Sequence, residues 1–170
     1  MENRTNIFIL DTDVGANARS HCDKHVVKMI LESAQMLCTI ANELGVDSPY
    51  KSTHKHHPST KWAAASKDNY KWLYELMLAL NEEFMYRFGH SKNHLSVDKF
   101  LSGVSMADVL SKLSDDGLTP FAQAMPDEYK NDDAVKAYRD YYENAKKDIL
   151  KYTKRSTPYW LKGAWDEAAV

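Results

Sequence analysis

The chain has 170 residues, the size of one ordinary domain, and its hydrophobic fraction of 44% is enough for one core. Its 27% of charged residues exclude a disordered chain and a membrane protein, and two cysteines are too few for a disulfide framework. A net charge of −2 argues against non-specific grip on duplex DNA, which depends on a basic excess. We therefore expect an intracellular protein that holds any nucleotide or nucleic acid locally.

The hydrophobic pattern predicts an all-α fold, with a single helical domain over residues 1–170, three long helices, some short ones and an extended N-terminal arm. Asn6–Leu10 is a strand candidate, because a β-rich apolar run is ended there by turn-forming residues. Apolar residues at three- and four-residue steps predict the first long helix over about Ser20–Leu44. A short helix over Val14–Arg19 either stands apart from it or runs straight into it.

The second long helix begins near Pro58, where proline suits a first turn, and Gly89 ends it. Ser66 is placed to cap a restart that divides this segment into a short and a long helix. The pattern then predicts, in chain order, short helices at Val97–Leu101 and Met106–Leu113, a loop over Ser114–Asn131 and a third long helix over about Asp133–Tyr152.

The first candidate site is the run His21-Cys22-Asp23-Lys24-His25-Val26-Val27-Lys28. On a helix His21 and His25 lie one turn apart, as do Lys24 and Lys28, so cations crowd the end that the helix dipole already makes positive. A bound anion would relieve this conflict, because free N–H groups and cationic side chains would point toward it. If the preceding short helix runs continuously into this one, the argument from the helix dipole no longer applies, and only the crowding of cationic side chains remains. A solvated face with one buried histidine is the alternative.

A second cluster, Thr53-His54-Lys55-His56-His57-Pro58, directly precedes the second long helix. His54, His56 and His57 therefore abut a helix N-terminus, which again suits an anion. Histidine also readily donates a proton to phosphate near neutral pH. Three histidines from the two clusters could hold a metal, but no H-E-x-x-H motif or cysteine pair accompanies them. We assign no metal and no cofactor.

Further residues could complete a nucleotide pocket. Tyr70 and Trp72 lie two positions apart on a helix and cannot both face inward, so we expect at least one exposed ring on which a base could stack. In the predicted loop over Ser114–Asn131, the apolar residues between its two prolines predict that the loop packs against the helical body. The remaining candidates are Gln123, Asp127 and Glu128 as acceptors for a base or ribose, and Arg139 as a phosphate clamp. Arg87, with His90, Lys92 and His94, forms either another patch of the same site or a polar loop.

Six phrases distributed over most of the chain resemble a family of mostly uncharacterised small proteins of tailed bacteriophages. They are Ile7–Asp11, His21–Met29, Thr53–Pro58, Asn69–Leu73, Met125–Lys130 and Ala137–Arg139. No catalytic residues are established for that family, so the resemblance assigns no role by position. It implies a phage origin and action in the cytoplasm of an infected bacterial host cell.

The predicted architecture is also similar, more distantly, to phage pyrimidine-dimer DNA glycosylases. Those enzymes attack the sugar with the amine of an N-terminal threonine, whereas Thr5 here follows Glu2-Asn3-Arg4. Those enzymes are also basic, whereas this chain is slightly acidic. For such an activity Lys24 or Lys28 would have to supply the amine, with a pKa lowered by neighbouring cations.

The clustered cations favour binding of a phosphate-bearing nucleotide in a pocket rich in histidine and lysine, one purpose being to sequester a nucleotide signal of host defence. Two alternatives stay open: a DNA or nucleotide glycosylase or lyase acting on modified or damaged bases, and a structural helical interaction module. The expected partner is a nucleotide or another phosphate-bearing small molecule. A nucleic acid partner and a homo-oligomer stay open, and no membrane is expected.

Overall fold

The structure is a computed structural model that describes residues 5–161. Every regular element in that range is helical, which confirms the all-α class. The α-helices are α1 Val14–Ser20, α2 Asp23–Glu43, α3 Pro58–Ala64, α4 Lys67–Phe88, α5 Leu95–Gly103, α6 Met106–Ser111 and α7 Ala134–Ala145, and 3-10 turns lie at Asp127–Tyr129 and Lys147–Ile149. None of the helices in this range has the length and apolar character needed to cross a bilayer.

The core is built around α2 and α4, which make the most extensive contact between helices, and α1 packs against α4 as well. Both long helices place apolar residues at three- and four-residue steps toward each other. On α4 the buried residues of this stripe are Leu73, Leu76, Met77 and Leu80. On α2 they include Val26, Ile30, Ala34, Leu37 and Ala41. The hydrophobic periodicity therefore predicted the correct face of each long helix.

The segment 5–10 contains no strand, so the strand predicted over Asn6–Leu10 is wrong within the described residues. Its apolar side chains are nevertheless buried in the core. Tertiary hydrogen bonds replace strand pairing: the Leu10 amide donates to Asn17 Oδ1 at 2.8 Å, and Asn6 Nδ2 donates to the Ala124 carbonyl at 2.9 Å. The β-rich composition thus reflects burial, which favours the same residue types.

The first long helix begins three residues later than predicted, because the chain breaks between α1 and α2. His21 and Cys22 both have extended backbone dihedrals, with ψ of 137° and 161°. The Cys22 amide donates to the Tyr142 hydroxyl at 3.0 Å, and the Asp23 amide donates to the Lys151 carbonyl at 2.8 Å. Tertiary partners at this break thus satisfy backbone groups that a continuous helix would have used.

Two helices, α2 and α4, exceed twenty residues, whereas three long helices were predicted. The third ends at Ala145 after 12 residues instead of continuing to Tyr152. Its C-terminal continuation leaves the helical path to cover the start of α2, where the Lys151 carbonyl and Thr153 bind Asp23. The amphipathic pattern predicts helix here but does not report this competing tertiary contact.

The caps of α4 follow the prediction. The Ser66 side chain accepts a hydrogen bond from the Asn69 amide at 3.0 Å, so the segment after Pro58 divides into α3 and α4. Gly89 ends α4 with a φ of 69°, a left-handed conformation that glycine adopts without steric cost.

Candidate functional site

A cavity of about 690 Å³ opens where the N-terminal segment meets α2, the start of α3, the 123–126 loop and α7. Its volume is in the range of small-molecule sites. The residues that line it are Thr5, Asn6, Phe8, His25, Lys28, Met29, His57, Pro58, Gln123, Ala124, Met125, Pro126, Lys130, Tyr141 and Lys146. We call it the lysine cavity, because the part of the chain that the structure describes contributes three lysines and no carboxylate to its lining.

The carboxylates nearest to these lysines do not line the cavity. Lys28 Nζ lies 3.7 Å from Glu32 Oε2, one turn along α2. Lys130 Nζ lies 2.9 Å from Asp127 Oδ1, and the Asp127 side chain is 95% exposed. The Lys130 pair is exposed and contributes little, whereas Glu32 is largely buried beside Lys28. The lining therefore presents a net positive charge to a ligand.

Lys146 is the lysine most closely enclosed by the walls. Its Nζ lies 5.3 Å from the ring centre of Tyr141 and 5.9 Å from that of Phe8. Burial lowers the pKa of the Lys146 amine, and the positive charge of Lys28 lowers it further. Lys146 thus combines a place in the cavity wall with a weakened hold on its proton.

The aromatic wall of the cavity is formed by Phe8, His25 and Tyr141. The Phe8 ring stacks on His25 at 4.5 Å and 17°, and its centre lies 6.4 Å from that of Tyr141. His25 Nδ1 hydrogen-bonds the Tyr142 hydroxyl at 2.8 Å. Burial lowers the pKa of His25 to about 2, with neighbouring cations acting in the same direction. His25 is therefore a neutral ring of the wall and supplies no positive charge.

One tyrosine joins the two walls that the N-terminal segment and the loop provide. The Tyr138 hydroxyl lies 2.9 Å from Asn6 Oδ1, to which it donates, and it accepts a hydrogen bond from the Ala124 amide at 3.1 Å. Asn6 Nδ2 closes the triangle by donating to the Ala124 carbonyl. Since Asn6 and Ala124 both line the cavity, this buried joint fixes their separation.

Of the fourteen residues predicted from sequence, the cavity brings together four: His25, Lys28, His57 and Gln123. His57 Nδ1 accepts from the Ser59 amide at 3.0 Å and so caps α3. The side-chain amide of Gln123 donates to the Asn131 carbonyl and accepts from the Asn131 amide, which closes the loop. The other ten lie elsewhere: His21, Lys24, His54, His56, Tyr70, Trp72, Arg87, Asp127, Glu128 and Arg139.

At the start of the first long helix, where the sequence predicts an anion site, the Asp23 amide donates to the Lys151 carbonyl. His21 is fully buried, its Nδ1 hydrogen-bonds the Asn17 carbonyl at 2.8 Å, and its Nε2 has no partner among the described residues. Burial lowers the pKa of His21 to about 4. Lys24 is exposed outside the cavity. Of this cluster, His25 and Lys28 reach the cavity from α2.

The prediction that Tyr70 or Trp72 exposes a ring is wrong, since both are buried. The Tyr70 hydroxyl donates to the Leu37 carbonyl at 2.8 Å, and Trp72 Nε1 donates to the Thr12 carbonyl at 3.2 Å. Helix α4 is covered on two sides, by α2 and by α1. A helix with two covered sides buries rings that point in different directions.

Both predicted arginines hold other parts of the protein. Arg87 is buried in ion pairs with Glu83 and Asp23. Arg139 Nε donates to the Leu10 carbonyl at 2.9 Å, and its guanidinium lies 3.7 Å from Asp11. Neither guanidinium lines the cavity, because each is committed to these internal partners.

The remaining predicted residues are exposed. Asp127 and Glu128 lie on a 3-10 turn at the rim of the loop, and Asp127 pairs with Lys130. His54 Nδ1 lies 2.9 Å from the hydroxyl of Thr53, and His56 borders a separate, smaller groove. Within residues 5–161 no three His, Cys, Asp or Glu side chains are arranged to hold a metal ion.

Sequence reasoning missed Lys130, Lys146 and the aromatic residues Phe8 and Tyr141. Lys130 lies within the predicted loop over Ser114–Asn131, so its position was a usable signal. Lys146 directly follows α7, which ends at Ala145. No local signal distinguishes it from Lys147, because their difference depends on how this part of the chain packs against the N-terminal segment.

Compared with protein-family models, with curated proteins and with solved structures, the chain finds no match. The geometry of the lysine cavity is thus the basis for a functional assignment.

Proposed function

We propose that the protein binds a phosphate-bearing nucleotide in the lysine cavity. The observation that carries the proposal is the lining itself: Lys28, Lys130 and Lys146 converge on a space that no carboxylate of residues 5–161 lines. Phosphate oxygens would accept hydrogen bonds from the ammonium groups, and such charge-assisted bonds are about twice as strong as neutral ones. A local cationic site is also compatible with the net charge of −2.

The other walls suit the remainder of a nucleotide. Tyr141 offers aromatic surface for a base, and base–aromatic stacking contributes about 1–3 kcal/mol per base. Asn6 and Thr5 bring polar side chains into the same lining. Met29 and Met125 add flexible apolar contacts that adapt to ligand shape.

The setting of this activity follows from the resemblance to tailed-phage proteins. In an infected bacterial cell, nucleotide ligands include signals used in host defence, and a protein that binds one would withdraw it. This purpose is part of the proposal and predicts a preference for one nucleotide over its relatives.

Isothermal titration against mono-, di- and cyclic nucleotides, with nucleosides and inorganic phosphate as comparison ligands, tests the proposal. We expect at least one nucleotide to bind with a Kd below ~100 µM and its nucleoside to bind at least tenfold more weakly, which is ~1.4 kcal/mol. The absence of binding by every nucleotide at ~100 µM would overturn it and leave a structural or protein-binding module.

A matched pair of variants locates the site. Lys130→Met removes one cation of the cavity, whereas Lys71→Met removes an exposed lysine of α4 that lies outside it. We expect about a tenfold loss of nucleotide affinity for the first and less than a twofold change for the second. Equal effects would place the bound nucleotide elsewhere.

A further inference from the structure

Lys146 differs from the other two lysines of the cavity in its surroundings. Lys28 and Lys130 are exposed and each lies within 4.0 Å of a carboxylate. No ion pair among residues 5–161 includes Lys146. Its amine is half-buried over the rings of Phe8 and Tyr141, so the aromatic faces replace part of its water.

Half-burial and the nearby charge of Lys28 favour the neutral amine, which is the nucleophilic form, whereas the contacts with the two rings favour the ammonium. An ammonium taken from water into a partly apolar wall loses solvation, and a second cation nearby repels it. Both causes act on Lys146, and together they lower its pKa. A lysine desolvated beside another cation is the standard arrangement for amine catalysis on carbonyl compounds.

We propose that Lys146 is a nucleophilic amine that condenses with the aldehyde of a phosphate-bearing ligand held in the lysine cavity. This inference rests on the phosphate-binding part of the proposed function, because the phosphate would be held by Lys28 and Lys130 while the aldehyde reaches Lys146. The ligand class is an aldehyde-bearing phosphate ester, of which open-chain sugar phosphates are the simplest members.

The chemical step needs no further reactant. The nitrogen lone pair of Lys146 forms a bond to the carbonyl carbon, and the electron pair of the C=O π bond moves to oxygen. A proton passes from nitrogen to that oxygen, giving a carbinolamine. Loss of the oxygen with two protons releases one water molecule and leaves a C=N double bond to Nζ.

Three related probes separate binding from condensation. Pyridoxal 5′-phosphate carries an aldehyde and a phosphate, pyridoxal carries the aldehyde alone, and pyridoxine 5′-phosphate carries the phosphate with an alcohol instead. The full chain is incubated with each probe at a one-to-one ratio and reduced with borohydride, and the modified lysines are identified by peptide mass spectrometry.

We expect pyridoxal 5′-phosphate to label Lys146 at least tenfold more than Lys71, and a nucleotide that binds the protein to protect Lys146. Pyridoxal should label Lys146 more weakly, and pyridoxine 5′-phosphate should bind without label. Lys146→Arg should remove the selective label, whereas Lys71→Arg should leave it unchanged. If Lys146→Arg does not fold, the map of labelled lysines in the wild-type chain still shows whether Lys146 is labelled selectively.

The outcomes distinguish the two proposals. Binding of pyridoxine 5′-phosphate together with unselective labelling by pyridoxal 5′-phosphate would overturn the role of Lys146 and leave nucleotide binding intact. Equal labelling of Lys146 by pyridoxal and pyridoxal 5′-phosphate, without binding of pyridoxine 5′-phosphate or any nucleotide, would instead overturn the phosphate site.

Discussion

The protein contains two groups of cations that a sequence scan cannot tell apart, the lysine cavity and a cluster around Arg87. In the arginine cluster, defined as Arg87, Arg155, Glu83 and Asp23, every cation has a carboxylate partner inside the fold. Among the residues that the structure describes, the lining of the lysine cavity contains three cations and no carboxylate, and the carboxylates that pair with Lys28 and Lys130 lie outside the lining. The two groups therefore differ in where the compensating carboxylates lie, within the cluster around Arg87 and outside the lining of the cavity.

All three nitrogens of the Arg87 guanidinium donate hydrogen bonds to acceptors inside the fold. Its Nε donates to Glu83 at 3.0 Å, one terminal nitrogen donates to Asp23 at 3.1 Å, and the backbone carbonyls of Arg19 and His21 accept the other bonds. Arg155 forms a two-point contact with the same Glu83. Burial alone would raise the pKa of Glu83, but hydrogen bonds from both arginines hold it below its ordinary value.

The comparison shows that neutralisation, and not the number of cations, marks a candidate ligand site. A buried guanidinium whose three nitrogens all donate to internal acceptors ties elements together and is not presented to a ligand. Exposed or half-buried ammonium groups that converge on a cavity retain donors and positive potential. Four experiments test this distinction.

The largest expected effect is on stability. Arg87→Met removes a buried cation and leaves Asp23 and Glu83 undercompensated, so we expect the free energy of unfolding in urea to fall by about 3–5 kcal/mol. Lys146→Met, in the cavity, should lower it by about 1 kcal/mol or less. Losses of similar size for the two variants would remove the distinction between the two groups.

The two buried histidines predict a pH dependence of stability. Burial lowers their pKa values below the ordinary 6.5, to about 4 for His21 and about 2 for His25. The unfolded chain therefore binds more protons than the folded one below about pH 6.5, and stability falls as the pH falls. We expect a loss on the order of 3 kcal/mol between about pH 7 and pH 5, measured by urea unfolding.

Two variants provide the control for this pH dependence. His21→Gln should flatten the profile, because one of the two buried titrating groups is gone, while His56→Gln removes an exposed histidine and should leave the profile unchanged. A wild-type profile that is flat between about pH 7 and pH 5 would contradict the burial of these rings as neutral imidazoles.

The joint between the cavity walls gives a smaller effect. Tyr138→Phe removes the hydroxyl that binds Asn6 and the Ala124 amide, and leaves that amide without its partner. We expect a loss of about 1–2 kcal/mol in thermal or urea unfolding and several-fold weaker nucleotide binding. Tyr159→Phe, at an exposed ring, should stay within about 0.5 kcal/mol of the wild type. Unchanged nucleotide affinity in Tyr138→Phe would show that the joint does not position the site.

The smallest effect that we expect is that of salt on nucleotide binding. Raising sodium chloride from about 50 mM to about 500 mM should weaken nucleotide binding threefold to tenfold, because exposed charges are screened over a few ångströms. The contribution of Arg87, measured as the difference in unfolding free energy between wild type and Arg87→Met, should change little, since buried pairs are screened much less. Salt-independent nucleotide binding would contradict a site formed by the lysine cavity.

The elements of the fold were predictable where local chemistry specifies them. Ser66 and Gly89 carry cap signals that depend on neighbouring residues, so the division into α3 and α4 and the end of α4 followed from the sequence. The end of α7 and the break between α1 and α2 did not, because the chain there forms bonds with residues more than 100 positions away.

The candidate site was predictable in part for the same reason. Lys28 stood out because it belongs to a dense cationic run, and the structure places it in the cavity. Arg87 offered the same local evidence, yet Glu83 and Asp23 neutralise it. Lys146 offered none, and it reaches the cavity because α7 docks beside the N-terminal segment.

The sequence by itself determined the helical class and the apolar faces of α2 and α4, because hydrophobic periodicity and caps act between residues a few positions apart. The tertiary structure decided which cations are neutralised inside the fold and which meet around an open cavity. Charge compensation acts through space, between elements far apart in the chain, and leaves no local pattern in the order of the residues.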